Sequence, residues 1–245
     1  AMGTFFVFSD YMKPAVRMAA LMQVPVKFIW THDAFRVGED GPTHEPVEQE
    51  AQIRLMEKLK NHSGKDSVRV FRPADADETT VCWKLAMENM VTPTALILSR
   101  QGITKLPAGN DYEQAAKGAY IVEGSDENPD VILVASGSEV STLVSGCEAL
   151  RKEGIKVRIV SAPSEGLFRT QNKEYQEAIL PYGIKKFGMT AGLPVTLEGL
   201  VGIGPNSKIF GLSSFGFSAP YKVLDEKLGY TGENVYKQVK AFLAE

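Results

Sequence analysis

Short apolar runs without polar alternation recur along this chain, and segments of helical pattern separate them. Val131–Ala135, Val-Ile-Leu-Val-Ala, is the clearest. Residues 24–30, 94–98 and 209–212 are largely apolar too, and 68–71, Val157–Ser161 and Lys185–Met189, which carry Arg or Lys, also read as strands. A strand apolar on every side chain is buried on both faces of its sheet. Strands that alternate with helices must run parallel, because each crossover returns the chain to the same edge. The chain therefore reads as α/β: two three-layer α/β units with mainly parallel sheets.

The helical pattern covers residues 11–22, 46–59, 78–89, 138–153, 172–180, 219–228 and 232–243. In the first, Val16, Ala19, Ala20 and Met22 form part of an apolar face, and Pro14 suits the first turn. In the second, Val47, Ala51, Ile53, Leu55 and Leu59 are the expected inward residues. Asp75 or Asp77 is placed to cap the third. Gly154 ends the fourth. Residues 3–8 read as a short strand or buried turn. Residues 106–128 carry Pro107, Gly109, Gly118 and Gly124 and read as a linker with a short strand at 120–123. The unit boundary falls near residue 120, giving 1–120 and 121–245; the 245 residues suffice for two ordinary domains. Cys82 and Cys147 fall in helical patterns and are expected as buried free thiols, as suits a reducing cytoplasm. The net charge, 27 minus 30, is −3 and offers no basic surplus for nucleic acid or an anionic membrane. No apolar run approaches the roughly 20 residues that a membrane helix needs.

Four groups of residues carry possible chemistry. The loop at 31–46 follows a buried strand and holds His32, His44, Asp33, Glu39, Asp40 and Glu45, with Gly38, Gly41, Pro42 and Pro46 to break regular structure. By residue type alone it could bind a ligand, hold a metal or be an ordinary hydrogen-bonded loop. Two histidines twelve positions apart lack a closed zinc ligand set. Phe5, Phe8 and Tyr11 recur every three residues, which suits core packing or an aromatic pocket. Arg100 follows a buried strand and suits either a structural ion pair or a phosphate. Ser136-Gly137-Ser138, between strand and helix, reads as a helix cap with Ser138 at the N-cap rather than as an anion site. Gly202-Ile203-Gly204 is an incomplete dinucleotide fingerprint, and His62 reads as a solvated loop histidine.

Thr31-His32-Asp33 followed by Gly38-Glu39-Asp40-Gly41-Pro42-Thr43-His44 resembles the transketolase signature loop. The resemblance extends through residues 5–11, Arg72-Pro73-Ala74-Asp75, Leu98-Ser99-Arg100-Gln101, residues 135–140, and Phe215-Gly216 with Ser218-Ala219-Pro220. It implies the second half of a pyrimidine-binding domain followed by the transketolase C-terminal domain. It implies transfer of a two-carbon ketol unit from a ketose phosphate to an aldose phosphate in the pentose phosphate pathway. The cofactors implied are thiamine diphosphate and Mg²⁺, and the complete enzyme would be a cytoplasmic homodimer. By the same resemblance, Phe5, Phe8 and Tyr11 would pocket the cofactor's aminopyrimidine, with most weight on Phe8. His44 would sit between cofactor and reacting carbonyl. His32, Asp40 and Arg100 would bind the sugar's hydroxyl and phosphate groups. Such enzymes hold Mg²⁺ and diphosphate at a Gly-Asp-Gly motif in an N-terminal domain, and this chain has no Gly-Asp-Gly. The chain alone is therefore expected to be inactive, with no metal site, an exposed edge on its first sheet and a second unit able to fold by itself. Phe217 stands where many transketolases carry an acid. Dihydroxyacetone synthase and deoxyxylulose-phosphate synthase share the domain order, although Gly-Glu-Asp-Gly-Pro-Thr-His with Ser-Arg-Gln leans towards transketolase. A non-catalytic dimerisation module is the remaining alternative.

Overall fold

A strand with no polar face can satisfy its backbone only inside a sheet covered on both sides. The computed structural model, which describes residues 2–124 and 128–245, contains two such sheets. Positions 125–127 of the expected linker lie outside the described residues.

The first sheet holds β1 (Met2–Phe5), β2 (Lys27–Thr31), β3 (Arg69–Phe71) and β4 (Thr94–Ile97). Its order is β1-β2-β4-β3, and all pairs are parallel. Helices α1 (Lys13–Met22), α2 (Gln49–Glu57) and α3 (Ala76–Glu88) make the crossovers. The second sheet holds β5 (Tyr120–Glu123), β6 (Val131–Ala135), β7 (Val157–Ser161), β8 (Lys185–Met189) and β9 (Ser207–Phe210). Its order is β5-β7-β6-β8-β9, with only β5 antiparallel. Around it lie α4 (Glu139–Lys152), α5 (Glu165–Arg169), α6 (Lys173–Ile179), α7 (Glu198–Val201), α8 (Tyr221–Leu228) and α9 (Gly232–Ala244). The architecture is the expected pair of α/β units. No described helix is long and apolar enough to cross a membrane. Cys82 and Cys147 are buried and free. Burial drives both thiols up, Cys147 to about 12.

Local chemistry explains most element ends. Asp75 caps α3 by accepting from the Glu78 N–H at 2.9 Å. Pro14 sits in the first turn of α1, which a 3₁₀ turn at Phe6–Met12 precedes. β9 begins two residues earlier than expected. Ser138 departs from its expected role: it stands at the N-cap of α4 without capping it. Its Oγ instead accepts from Arg36 Nη1 at 2.7 Å and donates to Glu139 Oε1 at 3.0 Å. Met22 turns outward from α1.

Helix α2 follows its apolar pattern only in part: Val47, just before it, and Ile53 are buried as expected, but the expected leucines are not. Leu55 is 62% exposed and Leu59 is exposed too, while Glu50, Arg54 and Glu57 are buried. The reason is what α2 faces. Arg54 pairs with Glu50 at 2.8 Å, and Ser136 and Ser164 of the second unit donate to Glu50 and Glu57. Arg72, 1% exposed, lies at the centre of this junction. It donates to Asp33 Oδ2 from Nε (3.0 Å) and Nη2 (2.7 Å), and from Nη1 to Glu139 Oε2 (2.5 Å) and the Ser136 carbonyl (2.9 Å). Gly137 must be glycine for two reasons: its φ is +63°, and a Cβ would stand 2.6 Å from Arg72 Cζ. Ala34, Phe35, Val47 and Ala74 of the first unit join the core under the second sheet. The second unit thus shares its principal core with the first rather than enclosing it alone. On the outer side of β1 no described strand pairs.

Buried carboxyls without full charge compensation give this fold a pH signature. Glu78 accepts from the Ala74 N–H and Tyr120 Oη, yet burial pushes it up to about 7; burial does the same to Glu57. A folded-state value above the unfolded one means the folded chain binds protons more tightly. That contribution is full below the unfolded value and is lost as pH rises through about 7. Burial alone would also raise Glu50, but Arg72 and Arg54 outweigh it and hold that group low, so its window lies on the acid side. The melting temperature should therefore fall by several degrees between about pH 5.5 and about pH 8, and Glu78→Gln should flatten that fall. Melts of the two proteins at both pH values check this; equal slopes would sink it.

Candidate active site

In a parallel sheet every strand delivers its C-terminal residues to one edge. Pairing of Phe5 with Thr31 and of Trp30 with Ile97 brings three chain exits side by side. The 3₁₀ turn with Phe8 and Tyr11 leaves β1, His32 leaves β2, and residues 98–101 leave β4. The aromatic spacing of three residues matches that turn, which carries Phe5, Phe8 and Tyr11 up one side, while Phe6 goes into the core.

Phe5 and Phe8 are half-buried, their centroids 6.2 Å apart and their planes 19° from parallel. His32 stacks on Phe5 at 3.6 Å, with φ +61° at its own backbone, a conformation rarely held by a non-glycine residue. His44 stands edge-on to both rings, 6.1 Å from Phe5 and 5.3 Å from Phe8. Tyr11 is 82% exposed and touches the group only through Phe8, at 6.2 Å. Each histidine is tied to the threonine before it. Thr31 Oγ1 and His32 Nδ1 share a hydrogen bond of 2.9 Å, and Thr43 Oγ1 and His44 Nδ1 one of 2.8 Å. In both rings Nε2 remains as the group that can meet a ligand.

Asp40 and Arg100 are exposed at the rim. Desolvation lowers the His32 pKa; Arg100 lowers it further, and Asp40 and Asp33 oppose. The imidazole therefore sits in the fields of both rim charges. No described acid pairs with Arg100, which leaves its fork of donors free for an anion. Phe5, Phe8, His32 and His44 are thus gathered, Asp40 and Arg100 flank them, and Tyr11 marks the outer margin. Among the described residues no group of three or more His, Cys, Asp or Glu side chains could hold a metal. A cleft of about 590 Å³ lies elsewhere, between residues 101–107 and α4 and α8, and contains none of these residues.

The sequence assigned no role to three residues that the structure brings into or beside the loop. Arg36, inside the loop, is buried and donates to Asp225 Oδ1 at 2.7 Å as well as to Ser138. Arg72 is buried beside it. Glu45, next to His44, is 2% exposed with no hydrogen-bond partner at either oxygen among the described residues. Burial raises it to about 7, and the Phe217 backbone N–H pulls the other way without reaching bonding geometry. Arg72 lay in a stretch of the resemblance and Glu45 among the acids of the loop, but nothing in the sequence gave either a partner, and Arg36 stood out only by sitting between Phe35 and Val37.

Comparison with known proteins matches residues 1–105 to the transketolase pyrimidine-binding domain and residues 118–231 to the transketolase-like C-terminal domain. The transketolase of Halalkalibacterium halodurans is 44% identical over 247 aligned positions, covering 98% of this chain and 35% of that protein. The crystal structure of Pichia stipitis transketolase in complex with sedoheptulose-7-phosphate superposes with a TM-score of 0.86 at 34% identity, over 99% of this chain and 33% of that one. Leishmania mexicana transketolase gives 0.85 at 37% identity, over 99% and 34%. The chain spans about a third of the length of the curated relatives it matches.

Proposed function

The chain belongs to the transketolase family, and from that premise we propose that it carries the pyrimidine-binding and sugar-binding face of a ketol-transferring enzyme. The observation that supports this most directly is the shelf of two nearly parallel rings with an imidazole edge-on to both. Such faces suit a flat heteroaromatic ring, and the aminopyrimidine of thiamine diphosphate is one. Bound there, the cofactor would supply the carbon chemistry that breaks and remakes the carbon–carbon bond.

The chain's own residues would then do the following. Phe5 and Phe8 hold the pyrimidine, with Tyr11 at its outer margin. His44 Nε2 donates a proton to the sugar's carbonyl oxygen as charge develops there and takes one back from the hydroxyl when the carbonyl reforms. His32 and Asp40 hydrogen-bond the sugar hydroxyls and exclude water from that side. Arg100 takes the terminal phosphate through two N–H donors, a match that lysine would not reproduce. Mg²⁺ and the diphosphate belong, on this reading, to the part of the enzyme beyond this chain, and the complete protein works as a dimer in the cytoplasm.

The test compares this chain with the complete protein, each with thiamine diphosphate and Mg²⁺, a ketose phosphate donor and an aldose phosphate acceptor. Two-carbon transfer by the complete protein, with neither transfer nor saturable cofactor heat from this chain alone, is the expected result. Absence of transfer by the complete protein would overturn the function. Saturable cofactor binding by this chain would overturn the assignment of cofactor affinity to the rest of the enzyme.

A further inference from the structure

We propose that Glu45 and the turn at residues 215–219 form a positioning device for His44, through which the second unit sets the geometry of the first unit's loop. The proposal rests on the reading of His44 as a ligand-facing residue and gives the second unit a part in the site.

The loop from Gly38 to Glu45 is held from two sides. The Phe5 and Phe8 rings hold the His44 imidazole on one side. The turn from the second unit lies along the other. Ser218 Oγ donates to the Glu39 carbonyl at 2.5 Å. A Cβ on Gly41, whose φ is +74°, would stand 3.0 Å from Ser218 Cβ, and one on Gly38 3.5 Å from the Ala219 carbonyl. At the end of the loop Gly216 passes over the Glu45 carboxyl: a Cβ there would run into Oε2 and stand 2.9 Å from Cδ. The turn is itself fixed. Lys227 lies over the Phe217 ring at 4.3 Å, and its helix α8 also carries Asp225, the partner of Arg36 in the same loop.

Neither Glu45 oxygen has a hydrogen-bond partner among the described residues, and besides the pull of the Phe217 N–H in the same turn its side chain packs against Gly216. It is the residue after His44. Moving its Cα moves the peptide that carries the imidazole, and the rigid rings opposite convert that shift into a change of ring position. Gly216 is not in the left-handed region. The three nearest atoms to an alanine methyl there all belong to Glu45, so the pair can be tested as a steric lock.

The experiment is NMR of the three labelled histidines in this chain, with melts as a fold control. Gly216→Ala should move the His44 ring signals, and adding Glu45→Ala should return them most of the way. His62, in the exposed loop between α2 and β3, should stay in place throughout. An unmoved His44, or a shift that Glu45→Ala does not reverse, overturns the proposal. Should Gly216→Ala alone fail to fold, Glu45→Ala carries the test: loss of the wedge should move His44 and not His62, and an unmoved His44 overturns it. In the complete protein Gly216→Ala should lower kcat roughly ten- to a hundredfold with KM little changed, and the double variant should recover most of it. Coupled NMR shifts in a protein without ketol transfer would sink the transketolase reading and leave the positioning device standing.

Discussion

Arg72→Met should destabilise this chain by about 3–5 kcal/mol, enough to lower the melting temperature by roughly 10 °C. Methionine approximates the volume, so the loss is electrostatic rather than a cavity. Arg72 is surrounded by Asp33 at 2.7 Å, Glu139 at 2.5 Å and Glu50 at 3.6 Å. Arg36 still reaches Glu139 and Arg54 still reaches Glu50 in the variant. Asp33 has no second described cation, and a buried carboxylate left alone costs more than the pair was worth. Because these acids come from both units, the same substitution should loosen the junction. Calorimetric or urea melts check the cost, and a change below about 1 kcal/mol would refute the account. Replacing the acids together with Arg72 by apolar residues should restore much of the stability, since the network specifies the junction more than it strengthens it.

His44→Ala should lower kcat of the complete protein by roughly 10²- to 10⁴-fold, the range for losing a positioned proton-transfer group. His44 is half-buried and lies beside Phe5 and Phe8 rather than beneath them, so the variant should melt within a few degrees of the parent. A large loss of turnover with an intact melt separates chemistry from folding. Steady-state kinetics with one donor and one acceptor sugar phosphate decide it, and a loss smaller than about tenfold would remove His44 from the reaction.

Strands and crossovers were legible because unbroken apolar runs such as Val131–Ala135 leave the backbone no alternative to a buried sheet. The gathering at the strand ends was legible in kind, since parallel topology sends Phe8, His32 and Arg100 to one edge. What could not be read was that, beside the correctly expected Ile53, a charged side of α2 is buried as well. Leu55 and Leu59 obey the helical apolar pattern, yet Glu50, Arg54 and Glu57 take the inside because ion partners wait there from segments distant in sequence. Hydrophobic periodicity assumes an apolar neighbour and fails where the neighbour is a charged junction. Ser138 failed likewise: a local rule assigned it to its own helix, and Arg36, 102 positions away, claimed its hydroxyl. Glu45 shows the limit most plainly, because its surroundings are a glycine from the far end of the chain.

The threonine–histidine pairs have a consequence for the speed of proton movement. A hydroxyl can donate to a bare Nδ1 or accept from a protonated one, and switching between these two roles needs only a spin about the Cβ–Oγ bond. Thr43 can therefore leave His44 Nε2 either bearing a hydrogen or bare, with every heavy atom at rest. The pair accommodates both tautomers, while the ring's own proton has to be exchanged with a ligand or solvent. The pair's reorganisation cost is that of a hydroxyl rotor rather than that of a moving loop.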